Sequence, residues 1–485
     1  MSQKSLSASA ARGGAVTLVA QLARVVIQVA QVAILARLIA PESYGLLAMA
    51  IAFTGIAQIL RDFGLSTAAL RMAELTGQQR TNLFWLNFAA GTVISVIVFL
   101  LSWPIAAFYG QSDLVTLVQW VSLSYVLSGV TAQFRVAISR SLRFRALAIC
   151  DVVPPIIALL AAVPVAAAGY SLAALIVLQL ALPAADLVLS VTLARWLPGL
   201  PRRTSGMRNL LSFGFSFAGT QVLAYFTRNI DSVIIGRLWG PTTLGFYDRA
   251  FQLSVVPVNQ INTPMTKVAL PVLSRVVEDT ARFERGIRSA QLVSCYITAT
   301  SLCVMAGLAF PIVDILLGDD WAQSAPLFAI LAISSVFRAI QQIAIWLQVA
   351  KGSSASLLLG NVIGQPFVIL AICCGIPWGA TGIAMGSVAG YAGFWIFSML
   401  WAGRNTGVPT WPLISRATKV VALLSAPAGL SAFAISSLVS IPSFGLILLG
   451  LATSLATVLL SLALFPFARR DVAKILGLVR SGFRG

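Results

Sequence analysis

The stretch Ala36-Arg37-Leu38-Ile39-Ala40-Pro41-Glu42-Ser43-Tyr44-Gly45 returns as Gly236-Arg237-Leu238-Trp239-Gly240-Pro241-Thr242-Thr243-Leu244-Gly245, at an offset of 200 (236 − 36). Arg, Leu, Pro and Gly recur at identical spacing. Pro and Gly punctuate many turns, so the turn alone would be weak ground. Gln21 and Gln221, and Ile34 and Ile234, match at the same offset. The helices entering the corner therefore repeat with it, which makes a duplicated unit of about two hundred residues the first reading of the chain.

Composition sets the solvent. Hydrophobic residues make up 58% of the chain, charged residues 10%, and the mean hydropathy is +0.91, far from the half-apolar, quarter-charged norm of soluble domains. This is the composition of a membrane protein. Cys150, Cys295, Cys303, Cys373 and Cys374 all lie in apolar segments, without the spacing of a zinc site or the loop placement of a disulfide framework, and read as small core hydrophobes. The chain has no histidine, so His-based triads, imidazole metal sites and His relays are excluded together. It also lacks a GxxxxGK[ST] loop and hence a recognisable ATPase.

Apolar runs of about twenty residues predict an all-α polytopic protein of fourteen spans: 14–38, 44–70, 82–107, 114–138, 147–168, 171–195, 209–237, 243–272, 287–310, 324–349, 355–376, 380–402, 416–437 and 443–466. The first is too long for a signal-peptide core and is expected to stay. Sorting basic residues between alternate loops places nearly all of them on one side, including Lys4, Arg12, Arg71, Arg80, Arg140, Arg143, Arg145, Arg202, Arg285, Lys351, Lys419, Arg469, Arg470 and Lys474. The other side receives only the corner arginines, Arg37 and Arg237. By the positive-inside rule both termini face the cytoplasm. This sorting explains the net charge of +18 without a nucleic-acid partner.

The predicted organisation is two six-helix lobes, 1–195 and 209–403, joined by a cytoplasmic linker at 196–208 and followed by two further spans in 404–466 and a basic tail, 467–485. Six is even, so both lobes enter the membrane in the same sense and should be related by a pseudo-twofold along its normal, around a central cleft. The outside loops are short, which leaves no room for the catalytic loop of a membrane glycosyltransferase. Segment 274–289 reads as a short amphipathic helix, and the tail suits anionic headgroups.

Ionisable residues at membrane depth are costly and mark functional candidates. They are Arg24, Arg61, Asp62, Arg135, Asp151, Asp186, Arg228, Asp231, Asp248, Arg249, Lys267 and Arg338. Arg135, Asp151 and Lys267 lie near cytoplasmic ends, and Asp248 and Arg249 near the outer end, where snorkelling suffices. Arg24, Asp186, Arg228, Asp231 and Arg338 lie deeper. Arg24 and Arg228 differ by 204, one turn from the repeat's register, so each lobe presents an arginine from a similar face of its first helix. Arg228 and Asp231 are spaced to pair along one face. Arg24 and Arg338, without an obvious neighbour, are the better candidates for an anionic ligand, because a guanidinium grips phosphate oxygens two at a time.

Gln58, Arg61 and Asp62 correspond to Asn259, Gln260 and Asn262 in the repeat, a polar band on the second helix of each lobe. Pro257, Pro264 and Pro271 fall on nearly one face and free carbonyls that need partners or water. A bent, polar helix suits the wall of a wet cavity. Gly382, Gly386 and Gly390, like Gly360 and Gly364, are small-residue stripes that let helices pack closely.

A two-lobe bundle with a net-basic cleft, no ATPase and no catalytic loop reads as a secondary transporter of something anionic, and not as an enzyme. The chain resembles the Wzx-type polysaccharide flippases of the multidrug, oligosaccharidyl-lipid and polysaccharide exporter superfamily, in their exopolysaccharide and colanic-acid branch. The resemblance rests on Ala36-Arg37-Leu38 with Pro41, Tyr44 and Gly45, on Phe63-Gly64-Leu65, on Arg140-Ser141-Leu142-Arg143-Phe144-Arg145, and on Asp231 through Ala250. It implies an undecaprenyl-diphosphate-linked oligosaccharide as substrate, moved across the bacterial inner membrane by alternating access. In that case Arg24, Arg61, Arg228 and Arg338 would meet phosphate or acidic sugar, and Gln21, Gln221, Asn259 and Asn262 the glycan. Asp186 and Asp231 would be coupling-ion sites for protons or sodium, with no other cofactor. The implied partners are the lipid-linked oligosaccharide, membrane lipids, and polysaccharide polymerase and chain-length proteins. The alternatives are a cation-coupled multidrug exporter, a lipid II flippase of the same superfamily, and a non-transporting scaffold.

Overall fold

The computed structural model describes residues 3–62, 76–202 and 207–482, with side chains described for these except 3–15, 18, 61–62, 207–224, 226–228, 476 and 478–482. Among the described residues the regular structure is helical throughout, with no strand. Twelve stretches are long and apolar enough to span a bilayer, from Val19–Ala36 to Ser443–Leu464. The two remaining expected spans, 209–237 and 243–272, fall inside one long helix, Met207–Arg275. Its backbone leaves helical geometry at Gly240, where φ is 80° and ψ −176°. Only glycine adopts that conformation cheaply, so Gly240 is where the two spans meet.

Local chemistry accounts for the helix ends. Pro41 opens the helix Pro41–Asp62, a position where its missing N–H costs nothing. Thr76 and Gln79 form a reciprocal capping box at the start of Gly77–Tyr109, and Gly110 closes that helix in the left-handed conformation. The expected amphipathic segment is the helix Thr280–Val293, capped by the Asp279 side chain. The basic tail begins as the helix Pro466–Gly482.

The chain divides into two compact units, Met1–Gly245 and Phe246–Gly485. The division falls immediately after the second copy of the repeated corner, not in the 196–208 linker. The first unit shows why the second corner belongs to it. A Cβ on Gly45 would overlap the Pro241 carbonyl oxygen, and a Cβ on Gly245 would overlap the Pro41 carbonyl oxygen. Each corner thus places its glycine against the proline of the other copy. The duplicated unit of sequence and the compact unit of structure are different divisions of the same chain.

In the first unit the corner is backed by Leu35, Ile39, Tyr44, Met49 and Ile235, each buried. In the second, Phe283, Ile287, Ile343, Trp346, Leu347 and Met399 form a core from which water is excluded. Two spans there pass through π-helical turns, Ser294–Ala299 and Val421–Ser425. Beside them Thr300 and Ser425 share a hydroxyl hydrogen bond of 2.9 Å. The glycine stripe behaves as its spacing predicts, with Gly386 set against the Ala371 carbonyl and Gly382 against that of Gly375. All five cysteines are free thiols.

Candidate functional site

Two arginines at membrane depth are held in opposite ways. In the first unit Arg135, on the helix Asp113–Arg140, meets two carboxylates. Its Nε donates to Asp186 Oδ1 at 2.9 Å and Oδ2 at 3.0 Å, and its Nη2 to Asp186 Oδ1 at 2.8 Å. Nη1 donates to Asp151 Oδ1 at 2.6 Å. The Ser190 hydroxyl adds a bond to Asp186 at 3.1 Å. At 1.5 Å per residue the three charges lie roughly 8–12 Å from the same ends of their helices, so they share one layer of the unit. Nearly all of the Arg135 fork is used. Its charge is opposed by two carboxylates, so the cluster is formally anionic by one and offers nothing to an anion. The sequence places Arg135 and Asp151 near cytoplasmic helix ends, where snorkelling suffices, and offers Asp186 as a coupling-ion candidate. The three in fact form one ion-paired group.

In the second unit Arg338 sits midway along the helix Ser324–Ala350, roughly 20 Å from either end. Its guanidinium lies 5.1 Å from the ring of Phe251 and 4.7 Å from the ring of Tyr391. Among the described residues no carboxylate pairs with it. An aromatic face attracts a cation through its quadrupole and leaves the N–H donors unspent. Arg338 is therefore oriented without being neutralised.

One turn earlier on the same helix, Ser335 donates to Ser254 at 3.3 Å, and Ser334 accepts from Ser387 at 3.2 Å. These bonds fix the helix against the two elements that carry Phe251 and Tyr391. One turn and three turns later, Gln341 and Gln348 continue the polar face and line a small pocket with Asn361, Ser398 and Trp401. Arg338, Gln341 and Gln348 are spaced at i, i+3 and i+10, a helical face that the sequence contained. Phe251 and Tyr391 carried no such signal, since aromatics in apolar helices look like any other core residue.

The other candidates are scattered. Arg24 and Gln21 are exposed on the helix Gln3–Ala36, and Gln21 has interactions of its own. Asp231 is 6% exposed and caps its neighbour, accepting from the Ser232 N–H at 2.8 Å. In the second unit Asn259 is exposed, while Asn262 is 8% exposed with no partner for its Oδ1. Asp248 accepts from Arg249 at 2.8 Å and from Gln252 at 2.9 Å. Among the described residues, Arg338 is the expected site residue seen seated between two aromatic rings. The side chains of Arg61, Gln221 and Arg228 lie outside the described residues.

Comparison with known proteins adds the family. Residues 34–326 match the model of the family described as "Polysaccharide biosynthesis protein". The chain is 26% identical over 360 residues to the lipopolysaccharide biosynthesis protein WzxC of Escherichia coli, covering 73% of each. It is 24% identical over 326 residues to the teichuronic acid biosynthesis protein TuaB of Bacillus subtilis, covering 65% of this chain and 66% of that one. In structure it is similar to the lipid II flippase MurJ in an inward closed conformation, with a TM-score of 0.74 at 12% identity, covering 95% of this chain and 99% of that one. The chain is thus a multi-pass membrane protein that belongs to the polysaccharide biosynthesis protein family and is built on the fold of that flippase.

Proposed function

We propose that the protein flips an undecaprenyl-diphosphate-linked oligosaccharide from the cytoplasmic to the outer leaflet of the bacterial inner membrane by alternating access. The observation that carries this reading is Arg338, a membrane-depth cation oriented by two rings and without a carboxylate partner among the described residues. A diphosphate or acidic sugar presents the paired oxygens that a free guanidinium fork grips best. The products named for the relatives, lipopolysaccharide and teichuronic acid, support a glycan-bearing lipid as cargo.

In this reading both termini are cytoplasmic, as the sorting of basic residues requires. Arg24 serves as a second anion contact, with Arg61 and Arg228. Gln21, Gln221, Asn259 and Asn262 meet sugar hydroxyls. Asp231 and the Arg135–Asp151–Asp186 group are the candidates for proton or sodium coupling, because a cation or proton arriving at either carboxylate competes with the guanidinium for it. Polymerase and chain-length proteins act on the product.

The test is translocation by the purified chain in proteoliposomes, using a fluorescent lipid-diphosphate oligosaccharide and an impermeant quencher. Wild type should make inner-leaflet probe accessible, and Arg338→Ala should slow this by about tenfold, the loss expected for about 1.4 kcal/mol of cargo binding. Movement of a cationic dye in place of the lipid would make the protein a drug exporter instead.

A further inference from the structure

The last span, Ser443–Leu464, passes into the helix Pro466–Gly482 through one residue, Phe465, whose φ of −104° and ψ of 107° are extended. A single residue, reaching at most about 3.6 Å, gives the chain no means of leaving the bilayer surface before the new helix begins. The ring of Phe465 stacks on that of Phe467 at 5.7 Å, so the junction is itself anchored.

The sequence of this helix, Pro-Phe-Ala-Arg-Arg-Asp-Val-Ala-Lys at its start, contains one acid, Asp471. Asp471 is 1% exposed. It accepts from Arg416 Nε at 2.8 Å and from Arg416 Nη2, and from the Tyr296 hydroxyl at 3.2 Å. The Arg416 guanidinium also lies 4.9 Å from the ring of Phe467. Two spans, through Tyr296 and Arg416, thus hold the helix by its only negative charge. Ala468 and Asp471 define the packed face. Arg469, Arg470 and Lys474 lie outside that packed face and are exposed, with no acid left on the helix to balance them.

We infer that this face is a docking surface for anionic phospholipid headgroups. The burial of Asp471 does two things at once: it fixes which side of the helix faces out, and it removes the one charge that would repel a phosphate there. The helix that carries the three cations begins one residue past the end of a span, at headgroup depth, where basic side chains are drawn to an anionic leaflet. The inference stands independently of what the protein transports.

The test is native mass spectrometry of the full chain released from mixed micelles holding equal amounts of phosphatidylglycerol and phosphatidylcholine. Wild type should retain phosphatidylglycerol in preference, and Arg469→Gln/Arg470→Gln/Lys474→Gln should lower the ratio of the two bound lipids at least threefold. An unchanged ratio in that variant, or no preference in wild type, overturns the inference. The charge-keeping variant Arg469→Lys/Arg470→Lys gives a second reading that does not depend on how well the triple variant folds. It should keep the wild-type ratio, and a ratio as low as that expected of the triple variant also overturns the inference.

Discussion

Gly45 packs directly against the carbonyl of Pro241, and the exchange is mutual, since Gly245 packs against the carbonyl of Pro41. The residues that make the two corners recognisable as copies are the ones through which the corners touch. A side chain at either glycine has to displace backbone, not a mobile side-chain end. Overpacking of this kind costs about 1–3 kcal/mol. Gly45→Ala and Gly245→Ala should each lower the melting temperature of the purified protein. Thr242→Ala, on the exposed side of the same corner, should leave it unchanged.

The Arg135 group predicts an order of effects. Asp186 holds the guanidinium through two oxygens and Ser190 besides, and its side chain is 17% exposed, against 37% for Asp151. Breaking a fully buried pair costs about 3–5 kcal/mol; with Arg135 itself 32% exposed, about 2 kcal/mol is expected for Asp186→Asn and less for Asp151→Asn. In thermal melts, Arg135→Ala/Asp186→Ala should lose less than the sum of its single variants, because the pair acts as a unit. Additive losses would mean that the contact contributes nothing.

Arg338 depends on its rings for orientation. Replacing Phe251 or Tyr391 by Leu removes the quadrupole and keeps an apolar filling, at a cost of about 1 kcal/mol or roughly fivefold in cargo affinity. Tyr391→Phe retains the ring and should transport like wild type. Equal losses for Tyr391→Phe and Tyr391→Leu would show that the hydroxyl matters instead.

Asp471→Asn removes the charge that holds the helix Pro466–Gly482 and leaves Arg416 without its partner. The helix should loosen, and trypsin should cut after Arg469 or Arg470 several-fold faster than in wild type. Glu284, half-buried and paired at 3.7 Å with the exposed Arg288, is the contrasting case. Glu284→Gln should change proteolysis and melting little, since surface pairs contribute about 0–1 kcal/mol.

These features differ in how visible they were in the sequence. The fold was legible because a bilayer demands runs of apolar residues, and because the corner at 36–45 repeats at 236–245. Arg338 was legible for the same reason, as a charge interrupting an apolar run. Its partners Phe251 and Tyr391 were not, because apolar helices are full of aromatics and only packing selects two of them. The pairing of Asp186 with Arg135 was hidden by a sequence separation of 51 and by the habit of reading charges near helix ends as snorkelling. The boundary between compact units was hidden too, because the contacts of Pro241 and Gly245 that join the second corner to the first unit leave no mark in the sequence.

The central claim is that the chain carries a lipid-linked glycan through an anion site at Arg338. The most direct measurement is the amount of lipid-linked oligosaccharide held in the inner leaflet of cells lacking this protein, complemented with wild type or Arg338→Ala at matched expression. The account predicts that intermediates accumulate in the deletion strain, that wild type clears them, and that Arg338→Ala leaves most of them in place. Normal polysaccharide export in the deletion strain, or full clearance by Arg338→Ala, would contradict it.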